Sequence, residues 1–456
     1  MSGTLWGSGR PLDERLDAYT VGEDRELDGR LLPWDIVGSM AHAAGLVEAG
    51  VLSRAEGERV HAALVQALED GRAGRLVVGP GDEDVHSALE RYLTARLGDL
   101  GRKIHAGRSR NDQVQVDLRL HVKDRLFELA GKATATARAL LDFAARHREV
   151  LWPGYTHLRR AMPSTVGLWA AGAADAILDS LGNLDAAFRM ADACPLGSGA
   201  GYGVPLELPR DRIAHLLGFA RVQHTVTAAQ WTRGKLETTV LQSLWPLAHD
   251  LGKLSWDVIL FSMDELGYLR LPAGLTTGSS IMPHKKNPDL FELTRARAAA
   301  FDGLIVEAMA VSGKLPGGYH RDLQLTKGPL LRGLASVIEM AEIVGWAVPQ
   351  IEVDRRRCEE AVGGDLLATD EVFAAVRRGV PFRTAYREVA ARVAAGEAPP
   401  PLDREAILMA RSSTGNAGNL GLPSLRRRLA AIARRWEARR RAFRQRLDQL
   451  IGGGEA

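Results

Sequence analysis

Cysteine is nearly missing from this chain, with only Cys194 and Cys358 in 456 residues and no CxxC spacing. That scarcity excludes a disulfide framework and a cysteine-based zinc site, and it suits a reducing cytoplasm. Long apolar runs are missing too: no stretch approaches the roughly 18 residues of a membrane span. Residues 1–6 run into Arg10 and Asp13 without the apolar segment of a secretory signal. The expectation is a soluble cytoplasmic protein with no membrane partner. Excess charge is also lacking, because a formal net charge of +3 over this length does not call for a nucleic-acid partner. There is no GxxxxGK[ST] phosphate loop and no HExxH zinc motif, and the Gly-rich run at 196–203 lacks GxGxxG spacing. Acidic residues form no obvious ligand cluster, so the expected chemistry uses no cofactor and no metal. Strand alternation of useful length is absent, which leaves an all-α fold.

Long Pro-free helical patterns are what the chain has instead. Residues 1 to about 105 give short helices, with apolar spacing at Ile36, Met40 and Val47 and again at Val60, Leu64 and Leu68. Beyond that, Leu118, Val122, Leu126, Leu129, Ala133, Ala137, Leu140 and Ala144 step by three or four residues. Further series run from Val166 to Phe188, from Leu236 to Phe261 with Pro246 inside it, from near Pro288 to Lys314, and over 329–348. At ~1.5 Å per residue, such rods reach ~50 Å and bury their stripes only against other long rods. The division expected is an N-terminal helical domain (1–111), a central long-helix bundle (112–355) and a C-terminal helical domain (356–456), the bundle being completed by other subunits. The last helix carries Arg426 to Arg428 and Arg439 to Arg441, read as a solvated face rather than a phosphate stripe.

Four polar stretches flank the rods. Arg108-Ser109-Arg110-Asn111-Asp112-Gln113 is either a carboxylate-binding patch at a helix N-terminus or a cap formed by Asn111 or Asp112. Thr156-His157 lies between the first two rods, where His157 is a candidate acid or base or an ordinary surface histidine. Gly278-Ser279-Ser280-Ile281-Met282-Pro283-His284-Lys285-Lys286-Asn287 precedes the fourth rod. Tyr319-His320-Arg321-Asp322-Leu323-Gln324-Leu325-Thr326-Lys327 leaves it, either to orient a ligand or to start a helix.

Together these stretches resemble the fumarase/aspartase superfamily and, within it, the argininosuccinate lyases. The 278–287 pattern is similar to the superfamily signature, and 107–114, 154–158, 319–327, 83–90 and Leu5-Trp6-Gly7 add matches. The resemblance implies a homotetramer of three-domain, all-helical subunits whose active sites are shared between chains. It implies reversible elimination of argininosuccinate to arginine and fumarate, with Ser279 as the base and His157 as acid or charge-orienting partner. Lys285 and Asn287 would hold the developing negative charge; Arg110, Asn111, Thr156, Tyr319, Gln324, Lys327 and His86 match substrate-binding positions. His284 departs from the usual Gln and admits another succinylated amine, such as adenylosuccinate, as the substrate. An inactive, crystallin-like structural homologue is the alternative of a different class. Residues 225–235 and 21–24 depart from the family pattern too.

Overall fold

The computed structural model describes residues 13–453 apart from 398 and 401; the match at 5–7 lies outside them. Two short helices, α1 (Glu14–Val21) and α2 (Asp24–Gly29), lead into α3 (Leu32–Glu48), α4 (Arg54–Arg72) and α5 (Val85–Leu97). The rods follow as α6 (Arg110–Arg146), α7 (Val166–Ala191), α8 (Lys235–Ser262), α9 (Asp289–Ser312) and α10 (Lys327–Ala347). Their apolar stripes close a ring: α6 packs on α7, α7 on α8, α8 on α10 and α10 back on α6, with α9 seated against α8 and α10. Helix α8 continues through Pro246 as one element.

One buried hydrophobic cluster runs from Leu27 through the rods to Leu450. The N-terminal helices and the last helix therefore share the core of the bundle. Helices α11 (Ala368–Arg377) and α12 (Phe382–Ala394) instead surround their own small core of Val372, Ala375, Ala385 and Val389. Helix α13 (Leu422–Ile451) lies along α6 and α7. Its arginines are not merely solvated: Arg428 meets Asp175 at 2.8 Å, Arg426 meets Asp142 at 2.7 Å, and Arg435 and Arg439 share Asp185 at 2.6 and 2.5 Å. The stripe is a set of rim ion pairs over an apolar seam of Leu429, Ile432, Trp436, Phe443 and Leu447.

The absence of strands is corrected at three places, two of them pairs of only two residues each, Ala193–Cys194 with Arg221–Val222 and Leu269–Arg270 with Glu352–Val353. Between α6 and α7 the chain forms an antiparallel hairpin, β1 (Leu151–Thr156) and β2 (Arg159–Thr165). Pro153 opposite Pro163, and a register break between Pro153 and Tyr155, hide the alternation that would have revealed it. The turn is two residues, His157 (φ 55°) and Leu158 (φ 57°), both left-handed without being glycine. A two-residue hairpin needs that twist, and each non-glycine residue there costs about 1–2 kcal/mol.

Candidate active site

The cap of α6 is Ser109, not Asn111 or Asp112. Ser109 Oγ accepts from Asn111 N–H at 3.3 Å, and the Asp112 carboxylate reaches back to Ser109 N–H at 2.9 Å. Asp112 Oδ2 also accepts from Gly197 N–H and Gly199 N–H at 3.0 and 2.9 Å, so the Gly-rich run wraps this carboxyl rather than a phosphate. Burial raises Asp112 to about 6 against the pull of these N–H donors. Between pH 4 and 6 the native chain keeps a proton that the unfolded chain has released, so this group makes stability fall as pH rises through that window. Asp112→Asn removes the effect. Comparing stability from urea titrations at pH 4.5 and 7, the variant should gain on the parent by about 2 kcal/mol.

With α6 started at Arg110, the first and fourth stretches meet. Asn111, Arg110, His86, Tyr319, Gln324 and Lys327 line one cavity of about 490 Å³, together with Val21, Asp24, Asp28 and Arg108. Each cation is steered by a neighbour. Arg110 meets Glu83 at 2.5 Å and Asp84 at 3.2 Å. Lys327, buried, is clamped between Asp28 and Asp24, the latter at 3.0 Å. Gln324 Nε2 donates to the carbonyls of Thr20 and Val21 at 2.9 and 3.2 Å, fastening α1 over the cavity. Arg108 Nη1 donates to Ser39 Oγ at 2.7 Å. Burial, with Arg108 and Arg110 adding repulsion, depresses His105 to about 4, so it enters the wall neutral.

His86 is held differently. Its Nδ1 lies 2.9 Å from Asp35 Oδ1, and Asp117 Oδ2 is 3.9 Å away. Burial opposes its charge, yet the carboxylates around it, Asp35 first and then Asp84 and Asp28, together hold the imidazole above its ordinary range. The donor atoms of Asp35, His86 and Asp117 come within 4.8 Å of one another, a grouping no sequence spacing could show, but the short hydrogen bond commits His86 Nδ1 to Asp35. Burial, then Asp35, push Asp117 well above the carboxylate range.

Asp24 and Asp28 carry no signal of a site in the sequence, because two acids on a short helix mean little until Lys327 closes on them, 299 positions beyond Asp28. The departure at 21–24 now has a place: Val21 and Asp24 both face the cavity, and burial raises Asp24 to about 6.

The signature loop lies apart, since no residue of 277–289 lines that cavity. Its neck is a two-residue bridge in which Thr277 N–H donates to Asn287 O at 3.1 Å and Asn287 N–H to Thr277 O at 2.9 Å. Asn287 Nδ2 donates to Gly278 O at 3.2 Å, and Lys285 projects into solvent. Within the loop, the N–H groups of Ile281 and Met282 both donate to Ser279 Oγ, at 3.3 and 3.1 Å. Two converging donors are what a serine alkoxide needs. Gly278 has neither a positive φ nor a neighbour against a Cβ, so this conformation does not itself require glycine there. Thr156 and His157 also lie outside that cavity, at the exposed hairpin tip; Thr156 borders a separate cavity of about 570 Å³ closed by Thr369, Asp370 and Arg411.

Comparison with known proteins decides the family. A lyase family pattern matches residues 11–303. An argininosuccinate lyase of Sorangium cellulosum is 46% identical over 438 residues, covering 95% of this chain and 100% of that protein. The chain belongs to the argininosuccinate lyase family. Another argininosuccinate lyase, of Thermotoga neapolitana, is 41% identical over 86% of this chain and 98% of its own. Among solved structures, an EDDS lyase in complex with formate superposes with a TM-score of 0.80 at 21% identity, covering 97% of this chain and 95% of that one, which shows the shared fold. The argininosuccinate lyase family thus accounts for the all-helical architecture, whose hairpin is an interruption between two rods.

Proposed function

We propose that this chain is a carbon–nitrogen lyase that splits argininosuccinate reversibly into L-arginine and fumarate, as a step of arginine biosynthesis in the cytoplasm. The observation that carries the reading is the identity with named argininosuccinate lyases along nearly the whole chain. The Ser279 Oγ geometry supports the chemistry. The reaction removes a weakly acidic proton beside a carboxylate, and the dianion formed must be held until the guanidinium nitrogen leaves. Ser279, with its two N–H donors, takes the Cβ proton. Lys285 and Asn287 hold the aci-carboxylate. His157 protonates the departing nitrogen or orients charge for that step. Arg110, Asn111, Thr156, Tyr319, Gln324, Lys327 and His86 bind the substrate.

The cavity lies at one end of the rods and the signature loop and hairpin at the other, so they cannot act on one molecule within one protomer. The functional unit in this reading is a homotetramer whose sites combine the cavity, the loop and the hairpin of different chains. Exposed apolar side chains on the rods support it: Trp245 and Trp256 on α8, Leu293, Val306 and Met309 on α9, and Ile343 and Trp346 on α10. The three-domain division at 111 and 355 belongs to the same proposal. Purified protein given argininosuccinate should raise ultraviolet absorbance as fumarate forms, and adenylosuccinate should give none. No fumarate from argininosuccinate overturns the reading, and faster turnover of adenylosuccinate replaces it.

A further inference from the structure

Two guanidiniums lining the cavity, Arg108 and Arg233, have no carboxylate within 4 Å among the described residues, but Arg108 is held by the Ser39 hydroxyl at 2.7 Å. Arg233 is only 8% exposed, and among the described residues no carboxylate lies within 4 Å of it and neither Nε nor Nη1 has a partner. The remaining cations of the cavity are answered by carboxylates: Arg110 by Glu83 and Asp84, Lys327 by Asp24 and Asp28, Arg321 by Glu83. Leaving a buried guanidinium unpaired is costly, so the arrangement calls for an anion. The position is built. The guanidinium carbon sits 5.0 Å from the centroid of the Tyr319 ring, which carries it by cation–π contact. The next residue, Gly234, has φ 75° and would place a Cβ 2.2 Å from Ser312 Cβ, so the backbone that aims Arg233 admits only glycine. Arg233 stands in the wall between the 490 Å³ cavity and a second cavity of about 400 Å³. Gln230 lines the second cavity, is 4% exposed, and leaves both its amide atoms unpartnered.

We propose that Arg233, steadied on Tyr319 and flanked by Gln230, receives the α-carboxylate at the arginine end of the substrate and sets specificity for an α-amino acid there. This rests on the lyase reading. Argininosuccinate carries three carboxylates; the two on the succinyl end belong with Ser279, Lys285 and Asn287, where proton removal occurs. The third lies at the far end, and Arg233, unlike Arg108 with its Ser39 hydroxyl, is a cavity guanidinium whose Nε and Nη1 have no partner. A fork of N–H donors suits a carboxylate two-handedly.

The test is calorimetric binding to the intact oligomer of L-arginine, of agmatine, which lacks only the α-carboxylate, and of fumarate. The parent protein should bind arginine about 30-fold or more tighter than agmatine, the range of a charge-assisted pair. Arg233→Met should bring arginine down to the agmatine level and leave agmatine and fumarate unchanged, while Arg233→Lys should keep part of the preference. Equal affinity of the parent for arginine and agmatine overturns the proposal without any variant. Loss of fumarate binding with arginine binding intact also overturns it, by assigning Arg233 to the succinyl end. Discrimination of arginine from agmatine in a protein that releases no fumarate keeps the subsite and sinks the lyase reading instead.

Discussion

Ser279→Ala should lower kcat for fumarate release by roughly 10³-fold or more, with KM and thermal midpoint close to those of the parent. The size follows from the role: a positioned base contributes about 10²–10⁴-fold, and alanine removes the proton acceptor along with the oxygen on which the Ile281 and Met282 N–H groups converge. The small structural effect follows from the setting. Ser279 is half-buried in a loop whose neck is held by the Thr277 and Asn287 backbones, and its hydroxyl bonds to nothing outside that loop. A change of this kind away from the core costs within about 0.5 kcal/mol. Stopped-flow turnover beside a melting curve checks both parts. A drop in kcat below tenfold would remove Ser279 as the base.

Mixing two dead variants should restore activity. Ser279→Ala fails at the signature loop and His157→Asn fails at the hairpin tip, which belong to different connections between the rods. If each site takes the loop from one subunit and the hairpin from another, random reassembly leaves both intact in about a quarter of the sites, by the statistics of a symmetric oligomer. Co-refolded variants should therefore reach about one quarter of parental activity, where each alone has almost none. Sites built within a single chain would give nothing on mixing. The same arrangement implies that dissociating the tetramer abolishes turnover with every catalytic residue present; activity in a stable monomer, shown by sedimentation, contradicts it.

How much could be read beforehand depended on the range of the signal. The rods were legible because helical periodicity repeats every few residues: Leu118 to Ala144 and Leu236 to Phe261 mark helices that the structure contains. The hairpin was not, because paired prolines and a bulge break its alternation. The candidate site divides the same way. Ser279, His157 and Arg110 stood in ordered local patterns, whereas Asp28 became visible only when Lys327 closed on it. Arg233 lay in the 225–235 segment that departs from the family pattern, and its lack of a partner needed the whole neighbourhood to be known.

By itself the sequence determined the helical class, the positions of the rods and the residue types carried at their ends, since these depend on spacings of three, four and seven along the chain. Only the tertiary structure decided which of those ends meet. It brought Arg110, Asn111, His86, Tyr319, Gln324 and Lys327 around one cavity and left Ser279 and His157 elsewhere. The physical reason is that rods of 21 to 37 residues hold their ends far apart. Packing around the ring of α6, α7, α8 and α10 then decides which ends come together, and that depends on contacts between residues hundreds of positions apart.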